Sequence, residues 1–199
     1  STGMRILFSS MLTILKGKRE VKVLNNQGLC TDNPYYCVKY LLMSFKVKYG
    51  PWAAVAGSAD GFGEAWSEAL ARRGMDLFMI DNQGEKLEQL SGRLENEYGI
   101  KTRKLRIDLA SPDAAERIME GLKGLDCHLL VYNAAFSLVK PFTDHEAGEL
   151  DQFIAINTRT QLKLVHAFSL HLIGQRKGGG IILMSSLAGL LGMQLVAPY

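Results

Sequence analysis

The stretch Gly57-Ser58-Ala59-Asp60-Gly61-Phe62-Gly63 is built to let a charged group come close to the main chain. Glycine takes positive φ without cost and leaves peptide N–H groups bare, so a pyrophosphate can approach them. An apolar run, Trp52 to Ala56, precedes the stretch, and a helical pattern, Phe62 to Arg73, follows it. A turn from a strand into a helix offers free N–H groups and the positive end of the helix dipole to phosphate oxygens. The spacing is Gly-x-x-x-Gly-x-Gly rather than the more general Gly-x-Gly-x-x-Gly. An ordinary glycine-rich turn is the competing reading, and the flanking strand and helix weigh against it. On this basis Gly57, Ser58, Gly61, Phe62 and Gly63 are assigned to cofactor binding, Gly57 making the tight turn, Gly61 leaving bare backbone for the pyrophosphate and Gly63 letting the helix pack closely on the sheet.

Asp81 ends the second expected strand, roughly 20 residues past the turn, where dinucleotide-binding chains place an acid. A carboxylate there accepts hydrogen bonds from ribose hydroxyls and repels a 2′-phosphate. Asn82 follows where a basic residue would welcome that phosphate, and Asp60 adds no positive charge. The expected cofactor is NAD, with NADP less favoured. A solvated strand-end aspartate is the alternative.

These residues need a scaffold that presents them together. Short apolar runs alternate with helical patterns after Pro51. Strands are expected at Trp52 to Ala56, Asp76 to Ile80, Thr102 to Ile107, His128 to Tyr132 and Ile181 to Met184. Helices are expected at Phe62 to Arg73 and Glu85 to Tyr98, after a Ser111 cap with Pro112 in the first turn, and as one long helix from Leu150 to Ile173. Such alternation predicts right-handed βαβ units and an α/β, Rossmann-like, doubly wound parallel sheet. Continuous apolar strands fit a sheet covered on both faces. Residues 1–49 read as an N-terminal extension with a helix over Pro34 to Lys48, and residues 50–199 as the dinucleotide-binding domain.

Composition narrows the function. The chain has 199 residues, 47% of them hydrophobic, and a formal charge of +3. One domain with a sizeable core is feasible. So small and dispersed an excess of positive charge argues against a nucleic-acid partner. Cys30, Cys37 and Cys127 form no paired framework, which favours thiols in the cytoplasm. The apolar run from Met4 to Leu15 is too short to span a bilayer. It reads as an amphipathic docking helix, with membrane association the less favoured alternative. His145 and Glu146 lack the second histidine of a zinc-protease helix, and His166 and His171 fall on different helical faces, so no metal is expected.

Together these features resemble the short-chain dehydrogenase/reductase family in its classical type, over about residues 50 to 199. The run Tyr49 to Gly57 is most similar to the hydroxysteroid dehydrogenase and long-chain 3-oxoacyl reductase branch, with Ala56 where threonine is usual. Asp108-Leu109 resembles the family's adenine-contacting pair. Tyr132-Asn133-Ala134-Ala135 resembles its Asn-Asn-Ala-Gly motif, departing at Tyr132 and Ala135 but keeping Asn133 and Ala134 as cofactor contacts. Ser186 and Tyr199 have the family's serine-to-tyrosine spacing, and Asn157 falls where its catalytic asparagine lies. Singly, Ser186 could end a strand, Asn133 cap a loop, Asn157 sit on a helix face and Tyr199 be a surface aromatic.

The resemblance implies an oxidoreductase that moves hydride between a nicotinamide and an alcohol or ketone. A proton must then move at the substrate oxygen. A phenol with an ordinary pKa of about 10 does this only when positive charge lowers that value. The family's lysine, four residues past the tyrosine, supplies such charge. The chain is therefore expected to stop within its own site and to turn over little by itself. Ser186 would hold the oxygen beside Tyr199, and Asn157 would position a relaying water. Phe136 to Val139, Leu187, Met193 and Leu195 could line a lipophilic substrate pocket or simply pack in the core. A homo-oligomer is implied for the full-length protein. The competing functions are a non-catalytic dinucleotide-binding module and a structural protein without cofactor.

Overall fold

The computed structural model describes residues 45–199, without the side chain of Leu190. The expected Met4 to Leu15 docking helix, Cys30, Cys37 and most of the Pro34 to Lys48 helix lie outside the described residues. Residues 45–49 are helical (α1) and lead into a five-stranded parallel sheet. The strands are β1 (Trp52–Ala56), β2 (Asp76–Asp81), β3 (Thr102–Arg106), β4 (Cys127–Tyr132) and β5 (Gly180–Leu183). Their order across the sheet is β3-β2-β1-β4-β5. Chain order therefore reverses between β1 and β4, the crevice where doubly wound sheets bind their ligands.

Side-chain alternation along the strands feeds two apolar layers. Ala54, Ala56, Phe78, Ile80, Leu130 and Tyr132 face one layer with α4 (Ala114–Gly121) and the later helix α6 (Gln161–Gln175). Ala53, Val55, Leu77, Met79, Leu129 and Val131 face the other with α2 (Gly61–Ala71) and α3 (Gly84–Tyr98). Burial of each large apolar side chain here contributes about 1.5–3 kcal/mol. The central strand β1 carries only small residues in its last four positions, all fully buried.

Three expectations need correction. The third strand stops at Arg106, and its exposed Arg103, Lys104 and Arg106 mark it as a charged sheet edge, not an apolar interior strand. Ser111 does not cap α4 with its side chain. Its carbonyl accepts from Ala114 N–H at 3.2 Å, and the helix begins there, beyond Pro112. The expected long helix is three pieces: α5 (Ala147–Ile154), a π-helical segment (Ala155–Thr160) and α6. The final helix, α7 (Ala188–Leu191), is a short turn after β5. Among the described residues no helix is long and apolar enough to cross a membrane, and no group of three metal-ligating side chains occurs.

Candidate cofactor cleft and proton-transfer site

Gly57 follows β1 directly, at φ +74. A Cβ there would lie 2.7 Å from the Ala134 backbone, so the turn after β1 and the loop after β4 close together only over a bare glycine. At Gly63 a Cβ would meet Gly57 O at 1.6 Å, because the first turn of α2 rests on the glycine turn. Gly61 faces open space, and a Cβ there would meet no heavy atom within 4 Å. This is the bare backbone a phosphate approach requires.

The turn is tied to its neighbours. Gly57 N–H and Ser58 N–H both donate to Ile80 O, at 2.8 and 3.2 Å. Asn133 Nδ2 donates to Gly57 O at 3.1 Å, and Asn133 and Ala134 N–H donate to Ala56 O. Asp81 is buried, and its carboxylate accepts from Ala59 N–H at 2.9 Å and from Gln83 N–H at 3.0 Å. Asp60 accepts from Gly61 N–H and from Lys86 Nζ, at 2.9 and 2.6 Å. The Lys86 ammonium, with the Gly61 N–H, holds the Asp60 carboxyl below the usual range.

A cleft of about 520 Å³ opens at the carboxyl ends of the strands. Gly57, Gly61, Phe62, Asp81, Asp108, Leu109, Asn133 and Ala134 line it, and so do Ser186 and Tyr199. The structure thus brings the expected cofactor contacts and the serine–tyrosine pair to one cavity. Three expected residues stand behind its wall. Ser58 is buried, its Oγ 3.4 Å from Ile80 O; Gly63 packs on the turn; Asn157 lies in the π-helical segment. The Asn157 amide accepts from Phe136 N–H at 2.8 Å and donates to Phe136 O at 2.9 Å. Its side chain orders the loop after β4.

Ser186 Oγ accepts from Ala188 N–H at 3.2 Å and remains half-buried at the cleft. Tyr199 is 42% exposed, with its N–H bonded to Val196 O. Sequence reasoning missed Gln83, Ile107, Ile156 and Met184 as cleft residues. It also missed the bond from Trp66 Nε1 to Met184 Sδ, 3.4 Å, which steadies the segment leading to Ser186. The polar run Asn157-Thr158-Arg159-Thr160 inside an apolar helix pattern was the available signal for the π-helical segment.

The cavity fits an elongated, two-ended dinucleotide. Its bare glycine turn meets a helix N-terminus, Asp81 stands at the end of β2, and the Ser186 and Tyr199 hydroxyls lie beyond β5.

Known proteins are similar to this chain in sequence and in fold. The short chain dehydrogenase family model matches residues 51–199. A 7beta-hydroxysteroid dehydrogenase of Clostridium sardiniense is 35% identical over 160 residues, spanning 79% of this chain and 60% of that one. The human very-long-chain 3-oxoacyl-CoA reductase is 32% identical, over 75% of this chain and 49% of that one. A solved short-chain dehydrogenase from Sphingobium yanoikuyae in complex with NADPH is 25% identical with a TM-score of 0.70, covering 75% of this chain and 58% of that one. The chain therefore spans between half and three-fifths of the length of these proteins.

Proposed function

The chain belongs to the short-chain dehydrogenase family, in its hydroxysteroid and oxoacyl reductase branch, and on that premise we propose that it serves hydride transfer between NAD and a lipophilic alcohol or ketone. The observation that carries this reading is a cleft lined by both the glycine turn and the Ser186–Tyr199 pair. Gly57, Gly61 and the α2 N-terminus would hold the pyrophosphate. Asp81 would take the adenosine ribose, and Asp108 and Leu109 would flank the adenine. A bound nicotinamide would supply the hydride donor or acceptor.

The remaining work belongs to side chains at the other end of the cleft. Ser186 Oγ donates to the substrate oxygen and fixes it beside the phenol. The Tyr199 hydroxyl would give its proton to that oxygen as a carbonyl carbon gains hydride, or take one back as an alcohol carbon loses it, once positive charge beside it lowers its pKa. Asn157 contributes from behind, by fixing the main chain at Phe136.

Two observations support the finer parts. Val139, Leu187 and Met193 are exposed apolar side chains, and Lys140 N–H donates to Leu195 O at 2.9 Å, so the loops after β4 and β5, which are joined there, both carry apolar surface, although none of these side chains lines the cleft. Apolar surface on these loops suits a steroid-like or acyl substrate better than a sugar. Asp60 and Asp81 both line the cleft, and two acids there disfavour a 2′-phosphate. The NADPH bound by the Sphingobium protein belongs to a chain that is 25% identical.

Titration of the purified chain with NADH and then NADPH, followed by nicotinamide fluorescence, tests the reading. Tighter binding of NADH is expected. Tighter NADPH binding would overturn the NAD preference, and binding of neither would overturn the cofactor reading itself.

A further inference from the structure

Tyr132 ends β4, and its ring is 1% exposed within the layer formed with α4 and α6. Packing alone explains a ring there, and a phenyl would fill the space equally well. The hydroxyl is different, because a buried phenol without a partner costs free energy. Its partner is Ile156 O, 2.7 Å away, in the π-helical segment. Burial pushes the ionisation of this phenol far above its usual range, so it stays a donor at any working pH.

The segment it grips touches both ends of the cleft. Ile156 itself lines the cavity. Asn157 fixes the main chain of Phe136, after β4. Arg159 Nη2 donates to Ala110 O, and Thr160 Oγ1 donates to Leu109 O at 2.7 Å, both in the loop after β3. A π-helical turn carries an extra residue and poorer ladder geometry than an α-helix, so an outside tether helps to fix its register. β4 lies inside the sheet between β1 and β5, which makes it a rigid post for such a tether.

We propose that Tyr132 is a positioning residue: its hydroxyl, bonded to the Ile156 carbonyl, sets the register of residues 155–160 and thereby shapes the adenine and reacting ends of the cleft together. The proposal rests on the cofactor reading above only for its binding readout. It also explains the departure at Tyr132 from the asparagine expected in that motif: the longer side chain reaches across to the helix.

Tyr132→Phe removes the hydroxyl and keeps the ring. Ser91→Ala is the control, because it removes another buried side-chain bond, Ser91 Oγ to Thr102 Oγ1 at 2.6 Å, on the other face of the sheet. Loss of one tethering hydrogen bond in the ligand-shaping segment is expected to weaken NADH binding about fivefold. Amide exchange at Phe136 should accelerate in the same variant. Ser91→Ala should lower the melting temperature without moving NADH affinity or Phe136 exchange. If Tyr132→Phe binds NADH within about twofold of wild type and keeps Phe136 protected, the inference falls. If wild type binds no NADH, the cofactor reading has failed, and exchange at Phe136 in Tyr132→Phe alone decides for or against the tether.

Discussion

Asp60 does two things at one position. Its carboxylate accepts from Gly61 N–H at the start of α2, and it pairs with Lys86 of α3 at 2.6 Å. The pair is exposed, so its contribution to stability is small. Its consequence for ligand choice is larger. A carboxylate lining the cavity repels a 2′-phosphate, and it also engages Lys86, a cation that could receive that group. Asp60→Ser should free Lys86 and raise the affinity for NADPH relative to NADH severalfold. Dissociation constants for both nucleotides, measured on wild type and variant, give the ratio. An unchanged ratio would leave Asp81 alone as the discriminating acid. Gly63 shows the opposite kind of constraint. No side chain fits there whatever the ligand, because the Gly57 carbonyl occupies the place of its Cβ.

At the scale of elements, β4 carries an unusual passenger. His128 is buried near the start of the strand, with Nε2 3.0 Å from Asp126 Oδ1. Burial lowers its pKa, Asp126 pulls it back up, and Lys177 and His171 lower it further. The folded value thus lies below the unfolded value of about 6.5. Stability from keeping this imidazole neutral is complete above the unfolded value and is lost as pH falls through the folded one. The melting temperature of wild type should drop on acidification from pH ~7 to pH ~5, and His128→Gln should flatten part of that slope. A slope identical in the variant would assign the acid sensitivity in this range to groups other than His128, since Asp126, which Lys177 holds below its usual range, loses its contribution only at lower pH. The strands themselves were legible in the sequence, because runs such as Trp52–Ala56 and, within β4, Leu129–Tyr132 are apolar without interruption. The glycine turn and Asp81 were legible for the same reason, since their meaning depends on local order along the chain. What stayed hidden depends on contacts far apart in sequence. Asp81 binding Ala59, Asn157 binding Phe136, and Tyr132 binding Ile156 arise only once the sheet is assembled. The π-helical segment Ala155–Thr160 takes part in two of those contacts, through Ile156 O and Asn157.

The whole molecule gathers its cleft from every strand end. Gly57 follows β1, Asp81 ends β2, Asp108 follows β3, Asn133 follows β4 and Ser186 follows β5. A ligand filling this cleft therefore touches loops from both halves of the sheet, on either side of the reversal between β1 and β4. Such a ligand binds the folded chain and has no site on the unfolded one, so it stabilises by mass action. At a concentration 100 times its dissociation constant the gain is about 2.7 kcal/mol. For a chain of this size each kcal/mol moves the melting temperature by roughly 2–4 °C. NADH at that concentration should thus raise the melting temperature by about 5–10 °C. In the binding mode proposed above, adenosine monophosphate would reach the β2 and β3 side of the cleft and the glycine turn after β1, and would leave the loops after β4 and β5 unbridged. Its shift at the same multiple of its own dissociation constant should be equal if unfolding is a single cooperative event. It should be smaller if the β4–β5 half opens independently. Thermal melts followed at Trp66, which contacts Met184 beside the β5 loop, together with far-ultraviolet circular dichroism, separate the two cases. Coincident transitions for both ligands mean one unit, and an earlier Trp66 transition with adenosine monophosphate alone means that the dinucleotide is what joins the halves.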